Sequence, residues 1–313
     1  MPRTTKTQVF LRNLRKHWSL LMLMVPGLLY LIINNYLPIY GLTIAFRKIN
    51  YAKGVFQSDW INPIWKNFKF LFKTRDAWII TRNTLAYNAV FIVLGLIFSV
   101  SLALMLNEIR SKRFAKLYQT SMILPHLISY VIVAYLVYAL LATDNGFLNN
   151  SVLPVFGQEP VRWYADVKKW PGILIIVNLW KTAGYSSIVY LASIAGIDTE
   201  FYEAAEIDGA SRMQQVRLIT LPLITPTIIT MTLLSIGRIF YSDFGLFYQV
   251  PMDAGILYNA TQTIDTYVYR GLLKLGDVAM SSAAGFYQSI VGFLLVFIAN
   301  AITRRINQEN ALF

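Results

Sequence analysis

Glu203-Ala204-Ala205 is followed after three residues by Gly209, and after nine more by Ile219, then Leu221 and Pro222. This run, 198–222, is a charged, helix-forming island between two long apolar stretches. Carboxylates in a first helical turn suit the positive helix end, and alanines give a slim face that another protein's backbone can approach closely. The chemistry on offer is therefore contact, not bond making. A second set of polar side chains lies inside the apolar stretches. Asn178, Trp180, Lys181, Tyr185, Ser186 and Tyr190 precede the island, and Arg238, Tyr241 and Asp243 come after it. Asn88, Tyr130, Tyr138 and Gln288 stand in the remaining stretches. Ionisable groups inside such segments are costly and mark a path or an internal pair. Asn178, Lys181 and Tyr185 keep i, i+3, i+7 spacing and share a helix face. Amides, charges and aromatic rings suit a sugar, by hydrogen bonds and stacking. The competing readings are helix packing, a snorkelling Lys181, and an Arg238–Asp243 pair within the bundle.

Composition narrows the classes. The chain has 313 residues, no cysteine and two histidines, His17 and His126. Disulfides, thiolate metal sites and cysteine nucleophiles are excluded, and a histidine-based metal or catalytic centre is not expected. No G-x-x-x-x-G-K-[ST] occurs, so the chain has no P-loop and no ATP site of its own. Hydrophobic residues make up 56% and charged residues 14%, against about 25% charged in a soluble domain. The net charge of +12 flanks the apolar runs instead of forming a basic domain, which favours a membrane surface over nucleic acid. The expectation is a multi-pass membrane protein, not an enzyme.

The elements that must position these residues can be read from the apolar runs. Six are long enough to span a bilayer, at about 18–46, 79–107, 117–142, 170–197, 219–245 and 279–303. Backbone groups in lipid must be satisfied internally, so the class is all-α, a polytopic transmembrane helical bundle. Pro26 and Pro38 are expected kinks in the first span, and Pro125 lies inside the third. The first run is too long for a signal peptide and lacks a cleavage site. Arg3, Lys6, Arg12, Arg15 and Lys16 precede it, and Arg110, Lys112, Arg113 and Lys116 come after the second span. These argue for N-in and C-in. The loop of about 47–78 carries seven basic residues, so a plain loop count does not choose a side and the first span decides. Asn145-Gly146, Pro154, Gly157 and Pro160 read as turns. Trp60, Trp65, Trp78, Trp163 and Trp170 fit an aromatic belt. Ser281, Gly285 and Ser289 form a small-residue row in the sixth span. Neither an internal repeat, a broken helix nor a soluble domain boundary is evident, so residues 1–313 read as one transmembrane domain.

Within the island, Asp198 and Thr199 are candidate caps for a helix starting near Glu200. Gly209 permits a positive-φ turn into a second short helix set at an angle, and Pro222 suits the restart of the fifth span.

The order E-A-A, three residues, G, nine residues, I-x-L-P resembles the EAA loop of ABC-importer permeases, with all seven fixed positions filled. The layout, and the segments GLTIAFRKIN (41–50), NLWKTAGYSSIVYLASIAGID (178–198) and FYEAAEIDGAS (201–211), are similar to the sugar-permease branch of type I importers. The resemblance covers most of the chain. It implies a cytoplasmic coupling-helix loop between the fourth and fifth spans that docks on an ATPase subunit through Glu203, Ala204, Ala205, Asp208, Gly209 and Ala210. It implies ATP and Mg on two separate ATPase subunits, a second homologous permease, and an extracellular or lipid-anchored solute-binding protein delivering an oligosaccharide. The setting implied is a bacterial cytoplasmic membrane. If Lys181 and Arg238 line the path, the cargo is acidic, such as a uronate-containing oligosaccharide. A non-sugar cargo stays open, and so, from other classes, do a secondary transporter and a membrane enzyme.

Overall fold

The computed structural model describes residues 16–306; Arg3, Lys6, Arg12 and Arg15, on which the orientation argument leans, lie outside them. The described residues are helical apart from loops and one isolated bridge, Arg47 to Trp60. The main helices are α1 (Trp18–Leu31), α2 (Arg75–Asn107), α3 (Lys112–Leu127), α4 (Tyr130–Leu141), α5 (Trp170–Ala195), α6 (Thr199–Ile207), α7 (Arg212–Ile236), α8 (Ile264–Leu273) and α9 (Val278–Ile306). Among them, five stretches are long and apolar enough to cross a membrane, or six if the bent pair α3–α4 counts as one span.

The first span keeps its expected limits but changes character, passing from α1 to a π-turn at Ile32–Tyr36 and a 3-10 segment at Leu37–Phe46. The change falls just before Pro38, which has no N–H for an α-helical bond. Its first half buries nothing, whereas Ala45 at its far end is fully buried beside Ala77, Ile80 and Phe240.

The third span departs most from expectation. The run 117–142 is not one helix: α3 and α4 meet at 95°. Pro125 sits in the last turn of α3, and Ile128 and Ser129 are extended. The Ser129 side chain then accepts from the Ile132 N–H and starts α4, a capping signal that hydropathy hides. The fifth span is also revised, ending at Ile236 instead of about 245. Residues 237–243 leave the helix, and a compact segment around Gly245–Gln249 and Gly255–Leu257 comes next. Its Leu246, Phe247, Val250 and Leu257 are buried against Val133 and Val137 of α4 and Trp170 and Leu174 of α5.

The centre of the bundle is the pair α2–α5. Ala103 and Val100 of α2 pack on Tyr190 and Ile194 of α5 and Ile224 of α7. At Gly184 the α3 backbone comes so near that an added Cβ would lie 2.1 Å from the Met122 carbonyl oxygen.

One expectation about aromatic residues needs correction. Trp60, Trp65 and Trp78 are exposed, but Trp170 is fully buried and its indole N–H donates to the Trp163 carbonyl at 2.9 Å. Trp163 donates in turn to Asn149 Oδ1. These two organise the 143–169 segment and do not form a belt. In the small-residue row, Ser281 faces Gly271 within the chain while Gly285 faces open space.

Beyond the α7 end, Asp253 bridges Arg270 at 2.7 Å and Lys274, and Arg270 also lies over the Tyr258 ring. Burial alone would push the Asp253 carboxyl up, but hydrogen bonds from Lys274 and Arg270 outweigh it and hold it below the usual carboxylate value. A depressed carboxylate adds stability above the unfolded pKa and loses it as pH falls through the folded one. The thermal midpoint of the wild type should therefore fall between about pH 5 and about pH 3; Asp253→Asn should start lower at neutral pH and show a smaller acid-induced drop. Gly184→Ala should cost about 1–3 kcal/mol, the usual range for overpacking, read as a lower thermal midpoint and a lower yield of folded protein.

Candidate functional site

Two places on the molecule gather the polar residues. The first is the island. Asp198 Oδ1 accepts from the Glu200 N–H at 3.0 Å, which starts α6 as expected. α6 ends where Gly209, at φ +77°, turns the chain. The Gly209 N–H donates to the Glu206 carbonyl and the Ala210 N–H to the Ala205 carbonyl, the paired bonds of a Schellman stop. Ser211 and Gln214 then form a reciprocal capping box.

Past the capping box the chain departs from expectation. No separate angled helix is present and Pro222 restarts nothing: Arg212–Gln215 runs through a π-turn at Val216–Thr220 directly into Leu221–Ile236, making α7 one rod. The π-turn absorbs the N–H that Pro222 lacks. Tyr202 Oη and Thr220 Oγ1, 2.9 Å apart, fasten α6 to the rod, and Arg212 pairs with Glu206 at 3.1 Å. Glu203, Ala204, Asp208 and Gly209 are exposed, Ala205 and Ala210 partly so. Sequence reasoning missed the apolar side chains around them: Phe201, Ile207 and Met213 are exposed, Ile207 by 87%. The signal was available as large apolar residues placed within an otherwise polar island.

The second place is a cleft of about 430 Å³ among α2, α5, the end of α7 and residues 237–243. Seven of the polar residues singled out in the spans line it: Asn88, Asn178, Ser186, Tyr190, Arg238, Tyr241 and Asp243. Six do not. Tyr130 packs on Gly245 and Tyr138 on Tyr164. Trp180 faces an apolar groove with Met122 and Pro125. Tyr185 stacks on His126 at 4.2 Å. Gln288 is buried and donates to the Phe240 carbonyl and to Asp265. Lys181 is 5% exposed and donates to the carbonyls of Pro125 at 3.1 Å, His126 at 3.0 Å and Ile128. The stripe of α5 that faces the cleft is Asn178, Thr182, Ser186 and Tyr190, an i, i+4, i+8, i+12 row. Of the i, i+3, i+7 row, Asn178 faces the cleft, whereas Lys181 and Tyr185 turn to α3. Ser186 was marked among the polar residues of the fourth span and spacing by four was visible in the sequence, but the threonine hydroxyl at 182 carries little weight beside a lysine. Ser99, Thr232 and Ser235 of the lining were missed for the same reason.

Local geometry explains why the cleft is polar at one end. Asn88 Nδ2 donates to the carbonyls of Thr84, Ile239 and Tyr241, holding the unwound stretch beside α2. Ser242 N–H and Oγ both donate to Asp265 Oδ2 at 2.7 Å. Asp243 Oδ1 accepts from Leu246 N–H at 3.2 Å. The Arg238–Asp243 pair, one of the competing readings, is not formed, and Arg238 makes no ion pair among the described residues. The cleft thus carries one unpaired cation, an exposed carboxylate, and a row of hydroxyls and amides. Among the described residues there is no group of three or more metal-ligating side chains. Such a surface can bind and orient a polyhydroxylated molecule; the carboxylates, cations and hydroxyls are not arranged as a nucleophile with a base.

The model of binding-protein-dependent transport system inner membrane components matches residues 92–308. The chain is 34% identical, over 93% of its length and 89% of the relative's, to the polygalacturonan/rhamnogalacturonan transport system permease protein YteP of Bacillus subtilis (strain 168). It is 28% identical, over 88% and 83%, to the arabinooligosaccharides transport system permease protein AraP of Halalkalibacterium halodurans. A chain in the crystal structure of a bacterial ABC transporter for import of the acidic polysaccharide alginate superposes with a TM-score of 0.84 at 33% identity, covering 95% of this chain and 99% of that one. The protein is therefore a multi-pass membrane transport component and belongs to the family of binding-protein-dependent transport system inner membrane components.

Proposed function

We propose that this chain is the permease subunit of an ATP-driven importer for oligosaccharides, with acidic, uronate-containing chains as the preferred cargo. The observation that carries the reading is the likeness over 95% of the chain to a protein of an alginate importer, a complex also solved with an alginate pentasaccharide-bound periplasmic protein. The relatives named for polygalacturonan/rhamnogalacturonan and arabinooligosaccharides support a carbohydrate over a non-sugar solute. Arg238 supports an acidic one, since a guanidinium without a protein partner suits a carboxylate in bidentate geometry.

In this reading residues 1–313 form one transmembrane domain with six spans, α3–α4 counting as one, and both termini in the cytoplasm of a bacterial cell. The basic residues before α1 and in the α2–α3 region support that orientation. A second permease completes the path, and a binding protein, extracellular or lipid-anchored, delivers the cargo. ATP and Mg belong to two separate ATPase subunits. Those subunits meet Glu203, Ala204, Ala205, Asp208, Gly209 and Ala210, together with the exposed Phe201, Ile207 and Met213. An apolar centre with a polar rim is how a protein interface is ordinarily built.

The rod supplies the mechanism. α7 has 25 residues, about 37 Å at 1.5 Å per residue. One end is tied to α6 by Tyr202–Thr220, and the other stops at Ile236, two residues before Arg238. Movement of α6 by the ATPases is delivered to the cleft without an intervening joint. A secondary transporter is the weaker reading: α3–α4 is a broken span of the kind such proteins use, but it leaves the exposed island without a role.

Glu203→Lys should reduce ATPase binding and ATP-driven uptake at least tenfold while the membrane bundle keeps its thermal midpoint. Unchanged uptake removes Glu203 from the docking contact. Arg238→Gln should raise the uptake KM for an acidic oligosaccharide about tenfold, the scale of one lost charge-assisted hydrogen bond, with little change for a neutral one of equal length. Equal effects on both contradict charge recognition.

A further inference from the structure

Lys181 is a buried ammonium that the proposed path does not touch, and its surroundings are unusually complete. The last carbonyls of a helix have no partners of their own, and in an apolar surround each costs several kcal/mol if left bare. α3 ends at such a place because Pro125 and the extended Ile128–Ser129 pair prevent α4 from continuing it. An ammonium has three N–H donors. Lys181 directs them at the carbonyls of Pro125, His126 and Ile128. It also sits at the negative end of α3, where a cation is favoured. The same nitrogen lies 4.7 Å from the centre of the Tyr130 ring.

Tyr130 carries the contact onward. Its ring packs on Gly245 so tightly that a Cβ there would lie 2.4 Å from the ring, and Asp243 lies beside its hydroxyl. Asp243 lines the cleft and caps the turn at Leu246. A continuous chain of contacts therefore runs from α5, through the α3–α4 break, to the unwound segment that bears Arg238, Tyr241 and Asp243. The other titratable group at this junction is His126, stacked on Tyr185.

We infer that Lys181 is a positioning residue for the transport path. Its ammonium acts as a built-in cation in a site of three backbone carbonyls at the α3–α4 break, and through Tyr130 and Gly245 it sets where residues 238–243 stand in the cleft. It does not contact the cargo. The inference rests on the cleft being the cargo path, but its first readout does not need cargo.

The chain has no cysteine, so Ser235→Cys, on the cleft wall, is a single thiol in this subunit. Its rate of modification by a charged thiol reagent is measured on the complete assembly, with labelling assigned to this chain by mass. Lys181→Ala should change that rate at least fivefold, and ethylammonium, supplied as a replacement cation, should return it to within twofold. In vesicles, Lys181→Ala should lower the maximal uptake of neutral and acidic oligosaccharides alike by about tenfold, the scale expected when buried acceptors lose their donor, with the same rescue. Tyr130→Leu leaves the ammonium and its carbonyls in place and should shift the Ser235→Cys rate in the same direction; it carries the test if Lys181→Ala does not accumulate. Three results overturn the inference: unchanged labelling in both variants, a KM defect confined to acidic cargo, or a folded Lys181→Ala protein that ethylammonium does not rescue. Altered and rescued labelling with no ATP-driven uptake even in the wild type leaves the positioning role standing and overturns the transport reading instead.

Discussion

Among the described residues, several of the places where this chain stops being helical within its apolar bundle are closed by a side chain from a neighbouring helix. Backbone donors and acceptors without water must find partners inside the protein, and the structure meets that constraint one residue at a time. Lys181 of α5 covers the carbonyls at the α3–α4 break. Asn88 of α2 covers Ile239 and Tyr241. Asn83 of α2 donates to the carbonyls of Asn259 and Gln262, and Gln288 of α9 to that of Phe240. The donors come from the long uninterrupted helices, and the acceptors lie on the interrupted ones. The packed pair α2–α5, with α9, is thus the frame on which the broken segments hang.

That division explains where the cleft is. An unwound stretch turns carbonyls and side chains into the bundle, and residues 237–243 do so between α2 and α5, so the polar end of the cleft is a consequence of ending α7 early. In the proposed function it also gives the route by which a force would reach the cleft. α7 is continuous from Arg212 to Ile236, with a π-turn ahead of Pro222 and Pro226 inside it, and α6 is bound to its base. A rod that stops beside the cleft joins the exposed island to Arg238 mechanically while leaving the frame in place.

Much of this was legible in the sequence, for physical reasons that differ between elements. The long spans α2, α5 and α9 are predominantly apolar, and their limits differ from the expected ones by a few residues. The Asp198 cap and the Gly209 turn were readable because capping and positive φ select particular residue types. Two breaks were hidden. Ser129 caps α4 inside an unbroken apolar run, and Ile239, Phe240 and the 244–250 segment keep hydropathy high after Ile236 because Phe240, Leu246, Phe247 and Val250 are buried, so hydropathy continues where the helix does not. The lining of the cleft was half legible: Asn88, Asn178, Ser186 and Arg238 were marked, whereas Thr182, Thr232 and Ser235 were not. Lys181 drew attention for its charge, but whether a buried cation meets solvent, cargo or a helix end depends on a break in another helix, which no local pattern around Lys181 reveals.

The central claim is that this membrane chain does no chemistry of its own and moves an acidic oligosaccharide with work received from outside it. The most direct test is uptake into vesicles containing the chain with its partner permease and ATPase subunits, with the binding protein and a labelled uronate oligosaccharide outside. The account predicts uptake that requires internal ATP and the binding protein and persists when ion gradients are collapsed. Uptake that continues without ATP, driven by an imposed ion gradient, would contradict it.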